Sequence, residues 1–137
     1  MNRILEFLSR KGMELIENNY DADCLDIAGE IAAVLLEEGA VPQIEKVMEF
    51  SEKRDEELKP FKPSRLANTI WRRHFVCCVE NIAYEPLLGK PVPKPEYCRQ
   101  MFGEDIVTDV VVSKNGIKNY VENFVRTKSK EEKNDNA

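Results

Sequence analysis

The stretch His74-Phe75-Val76-Cys77-Cys78-Val79-Glu80-Asn81-Ile82-Ala83-Tyr84-Glu85 decides the fold. Its first half has no polar residue after the histidine, which reads as a strand buried on both faces and starting as early as Trp71. Glu80-Asn81 is a two-residue turn, and Ile82–Glu85 returns as the antiparallel partner. On such a hairpin His74, Val76 and Cys78 share one face, while Phe75, Cys77 and Val79 share the other. A two-residue turn sets Val76 opposite Glu85, so Glu85 lies diagonal to His74 at roughly 7 Å between backbones, within reach of a long side chain. A three-residue turn would reverse that parity. His74 is the one histidine of the chain.

Upstream, Ile4, Leu5, Leu8, Gly12, Leu15 and Ile16 recur at helical spacing over residues 2–17, and Asn18-Asn19-Tyr20-Asp21 breaks the pattern. Cys24, Ile27, Ala28, Ile31, Ala32, Leu35 and Leu36 form a second stripe, with Asp21 or Asp23 as N-cap and Gly39 just past the end. Pro42 separates this helix from a strand over Gln43–Phe50. Residues 51–66 are charged and carry Pro60 and Pro63, which reads as a loop. The charge run from Glu45 to Arg65 balances acidic against basic residues and is expected to be solvated. Downstream of the hairpin, Pro86 to Pro95 reads as a loop and Glu96–Phe102 as a short helix ended by Gly103. Ile106–Val112 is a further strand and Asn115–Arg126 a last helix. Helices first and antiparallel strands later give an α+β class, with one domain over residues 1–126 and a disordered polar tail over 127–137.

Size and charge exclude several function classes. The chain has 137 residues, 42% apolar and 33% charged, with a net charge of −5, enough for one core but not two. An acidic balance argues against a nucleic-acid binder, which needs a basic face. No apolar run approaches the ~20 residues that span a bilayer. No secretory signal or lipidation motif is visible, so the expected location is cytoplasmic, with no membrane partner. The four cysteines, Cys24, Cys77, Cys78 and Cys98, have no CxxC spacing and read as free thiols rather than a zinc site or disulfide framework. Neither a Gly-rich phosphate loop nor an HExxH motif occurs, and neither metal nor cofactor is expected.

Cys24 falls in the first turn of its helix, where the positive end of the dipole stabilises a thiolate, the form that attacks. It also sits on the core-facing stripe, where a cysteine can equally be a small buried hydrophobe. Asp21, Asp23 and Asp26 flank it, and from Met1 to Ala40 acidic residues outnumber basic ones nine to three. Such neighbours oppose the dipole, so a protonated His74 would have to pair with the sulfur. Trp71, three residues before His74, reads as core support or as a wall of a groove.

Taken together, Asp23-Cys24-Leu25-Asp26-Ile27-Ala28 with Leu35, Leu36 and Gly39 resembles the cysteine helix of the small bacterial papain-like fold proteins. The stretch from His74 to Pro86 resembles their histidine hairpin, and Leu87-Leu88-Gly89-Lys90-Pro91 and Glu96-Tyr97 continue the likeness over roughly residues 18–103. The second strand there usually ends in tyrosine, aspartate, proline; here Glu85 stands in place of the aspartate. Members include cysteine peptidases, deamidases and papain-fold toxin domains. The resemblance implies a cysteine helix packed on an antiparallel sheet and a thiol hydrolase or acyl transferase acting on a peptide bond or a glutamine side chain. Cys24 would be the nucleophile, His74 the base and Glu85 the orienting acid, with a protein or peptide as substrate. Papain-type enzymes also place a glutamine before the cysteine for the oxyanion; this chain offers only Asn18 and Asn19 there. The alternative is an inactive relative acting as an interaction domain. Oligomeric state cannot be read from these residues.

Overall fold

The computed structural model describes residues 3–49, 60, 74–103 and 106–135. Helix α1 (Arg3–Glu17) and helix α2 (Cys24–Glu37) precede strand β1 (Gln43–Glu49). Strands β2 (His74–Val79), β3 (Ile82–Glu85) and β4 (Lys90–Pro93) follow, then helix α3 (Lys94–Met101), strand β5 (Ile106–Val112) and helix α4 (Ile117–Asp135). The class is α+β. All pairings are antiparallel, in the order β4-β3-β2-β1-β5. Among the described residues no helix is long and apolar enough to cross a membrane, and no three histidine, cysteine, aspartate or glutamate side chains are grouped to hold a metal ion.

The hairpin register is the expected one. Cys77 faces Tyr84, Cys78 faces Ala83 and Val79 faces Ile82, across a turn in which Glu80 has a φ of 53°. The core draws Leu8 and Leu15 from α1, Ile27, Ile31 and Leu35 from α2, Ile44 and Val47 from β1, and Val76, Cys77 and Cys78 from β2. Gly39, with a φ of +92°, ends α2 in the left-handed conformation, and the Ala40 N–H donates to the Leu35 carbonyl at 2.9 Å. Gly12 has a different reason: a Cβ there would lie 2.1 Å from the Pro86 carbonyl oxygen, so α1 rests directly on the backbone that follows Glu85.

Four expectations need correction. The segment Pro86 to Pro95 is not all loop, since Lys90–Pro93 forms β4. Proline cannot donate to a ladder but is tolerated on an edge strand, and β4 is an edge. The last helix runs through Asp135 rather than stopping at Arg126, so the expected tail is helical there. Its Lys128 ties back to Asp26 at 2.6 Å. Glu45 does not share a solvated run: it is 1% exposed, and its carboxylate receives Thr108 Oγ1 at 2.6 Å, Gln43 Nε2 at 2.8 Å and Lys94 Nζ at 3.0 Å. Those partners outweigh burial and hold Glu45 below the usual carboxylate range. Finally, Lys94–Met101 carries the short helix two residues further upstream, with proline in its first turn. Trp71, Phe50, and the expected loop over 51–66 other than Pro60, lie outside the described residues.

Candidate active site

Cys24 is the first residue of α2. Asp23, in extended backbone, caps the helix by accepting the Leu25 N–H at 2.9 Å. The half-buried thiol therefore stands at the positive end of α2, beside amides that the helix itself leaves unpaired. Of the three flanking acids, Asp23 is engaged in the cap and Asp26 in its ion pair with Lys128.

His74 opens β2 and is 1% exposed; Glu85 closes β3 and is 1% exposed. His74 Nε2 and Glu85 Oε1 are 2.5 Å apart. Glu85 is thus no surface residue at a strand end. Its Oε1 also receives the Tyr97 hydroxyl at 3.1 Å, and its Oε2 the Leu87 N–H at 3.4 Å. Cys24 lies close enough to His74 to act on its charge, so the helix and the hairpin bring thiol, imidazole and carboxylate into one cluster. Nε2 is committed to Glu85, which makes Nδ1 the ring nitrogen through which His74 can exchange a proton with the sulfur.

Burial by itself pulls the imidazolium down. The charge of Glu85 overrides it, aided by the hydrogen bonds with Cys24 and Glu85 and by the charge of an ionised Cys24, and His74 is held up at about 9. At neutral pH it is therefore a buried cation between an acid and a thiol. Burial pushes Cys77 and Cys78 far up, and burial followed by the Glu45 charge raises Cys98. All four cysteines are free of disulfides.

Asn18 and Asn19 build the α1–α2 turn. Both are exposed; Asn18 Oδ1 accepts the Asp21 N–H at 3.1 Å, and Asn19 adopts a φ of 57°. Two aromatic rings that sequence reading gave no role flank the imidazole, and a third stands behind them. Tyr20, at a φ of 58°, stands edge-on to His74 with ring centroids 5.9 Å apart. Phe102 lies 5.8 Å from His74 on a tilt, and Tyr97 stands edge-on to Phe102 at 6.3 Å. Burial first, then the Glu85 charge, keeps both tyrosines well above their ordinary value, so their hydroxyls stay protonated donors. A tyrosine in the turn just ahead of a candidate nucleophile was the available signal for Tyr20. Compared with protein-family models, with curated proteins and with solved structures, the chain matches none.

Proposed function

We propose that the chain is a papain-like thiol hydrolase or acyl transferase that acts on an amide, either a peptide bond or a glutamine side chain of a protein substrate. The observation that carries this reading is the buried His74–Glu85 pair, 2.5 Å between Nε2 and Oε1, beside a cysteine at a helix N-terminus that acts on the imidazole. A cationic imidazole beside the sulfur is the partner a nucleophilic thiolate needs.

In this reading the thiol proton resides on His74 and the Cys24 sulfur attacks the carbonyl carbon. The C–N bond breaks as the imidazolium returns its proton to the departing nitrogen, leaving a thioester on Cys24. Water, or an acceptor amine in a transferase, then attacks; His74 takes its proton and the thioester sulfur departs, restoring the enzyme. Glu85 holds the ring orientation and offsets its charge throughout. The Cys24 backbone N–H, with the carboxamide nitrogen of Asn18 or Asn19, is proposed to receive the oxyanion.

The test is alkylation with iodoacetamide near pH 6, with adducts mapped by mass spectrometry. Fast labelling confined to Cys24 that disappears in His74→Ala supports the enzyme. Slow, equal labelling of every accessible cysteine rejects it in favour of an interaction domain on the same scaffold.

A further inference from the structure

We propose that Tyr97 is the positioning residue of this site: its buried hydroxyl, donated to the same Glu85 oxygen that meets His74, fixes the carboxylate and through it the orientation of the imidazole toward Cys24. The inference rests on the reading of Cys24, His74 and Glu85 just given.

A glutamate has one more rotatable bond than an aspartate, so its carboxylate needs more than one anchor to keep a fixed place. His74 cannot be that anchor, because its own orientation is what must be fixed. Leu87 N–H approaches Oε2 at 3.4 Å, a long and weak contact. Tyr97 Oη approaches Oε1 at 3.1 Å, from a side chain that is fully buried. Its helix is set by the hairpin that carries the other two groups, since the Lys94 N–H at the start of α3 donates to the Asn81 carbonyl in the β2–β3 turn at 2.9 Å. Phe102 then closes a ring of contacts, edge-on to Tyr97 and tilted on His74. A phenylalanine would fill the same volume as Tyr97; the hydroxyl is the part that packing does not require.

The groups acting on Glu85 are His74 from β2, Tyr97 from α3, Tyr20 from the α1–α2 turn and the Leu87 N–H. Cys24 acts on it through His74, and Asp23 acts on Tyr20. Both phenols remain protonated across neutral pH, so His74 is the titrating member whose response reports how firmly Glu85 is held.

His74 is the sole histidine, so its ring resonances can be followed by NMR without ambiguity. In Tyr97→Phe the carboxylate gains rotational freedom and the His74 midpoint should fall from about 9 by about one unit. At pH 9 the imidazolium fraction should then fall about fivefold, from about a half to about a tenth, and with it the His74-dependent part of Cys24 alkylation, while the rate at pH 6, where either midpoint leaves the ring charged, stays at the wild-type level. Tyr97→Met, which lacks the hydroxyl and repacks readily, should show the same shift and serves if the phenylalanine variant folds poorly. A wild-type midpoint and a wild-type pH 9 rate in these variants overturn the inference while leaving the Cys24–His74 reading intact. Absence of His74-dependent labelling in the wild-type protein overturns that reading itself, and the inference with it.

Discussion

His74 is bound more tightly as a cation in the folded chain than in the unfolded one, being held at about 9 against an ordinary 6.5. The stabilisation is therefore complete below about 6.5 and is lost as the pH rises through about 9, on the order of 3 kcal/mol at 1.36 kcal/mol per unit. Urea denaturation at pH 6 and pH 10 should show the loss, and His74→Gln should flatten that slope. Glu85→Gln is expected to act on both fold and chemistry. A carboxamide that keeps its oxygen toward His74 and Tyr97 turns its NH2 toward the Leu87 N–H, setting two buried donors against each other at about 1–3 kcal/mol, which a thermal melt would register. Cys24-dependent turnover should fall by up to about 10⁴, the scale at which a triad loses its acid charge. The His74–Glu85 pairing was legible in the sequence because a two-residue turn fixes strand parity, and parity fixes which side chains meet. Tyr97 was not, because it reaches the site through a tertiary contact that no local spacing encodes, and Tyr20 had only its place in the turn before Cys24 to announce it.

Between helices and strands, two backbone features carry measurable consequences. Gly12→Ala places a methyl 2.1 Å from the Pro86 carbonyl oxygen; backbone must move on one side or the other, at about 3 kcal/mol of overpacking. Because Pro86 adjoins Glu85, the same variant should lower pH 6 labelling of Cys24 more than a comparably destabilising substitution elsewhere in α1. Glu80 occupies the left-handed region at a φ of 53°, where asparagine is better tolerated. Glu80→Asn should thus raise the stability of the hairpin by about 0.5 kcal/mol or slightly more, readable as a higher urea midpoint with an unchanged slope. The elements that sequence patterning misplaced share one cause, a context that overrides composition. Lys90–Pro93 is a strand because only an edge can accept Pro91 and Pro93, and nothing local announces an edge. The polar end of α4 looks like a tail until Lys128 meets Asp26 across the fold, and Glu45 looks solvated until Lys94 and Thr108 close on it.

Over the molecule as a whole, the order of helices and strands was sufficient for the α+β class, whereas the sheet order depends on β5 joining β1 on the side away from β2, a long-range choice that periodicity does not record. The two sheet edges differ. Strand β4 is four residues with two prolines and an exposed lysine, a well-protected edge. Strand β5 is seven residues, with Val107, Val110 and Val111 each more than a third exposed. Val111→Lys should accordingly lower light scattering in concentrated solution without moving the melting temperature by more than a degree or two, since a surface change of this kind is worth about 0.5 kcal/mol or less. The division of the site between two runs of chain has a temporal consequence. Residues 3–37 deliver the sulfur; residues 74–101, held together by short-range pairings, deliver the imidazole, the carboxylate and the phenol that braces it. A nascent chain therefore exposes its cysteine well before any partner for it has been made. If Cys24 is the nucleophile proposed above, the thiol is armed late, at the moment the two runs dock, and a protein that is still folding carries the sulfur without its trigger.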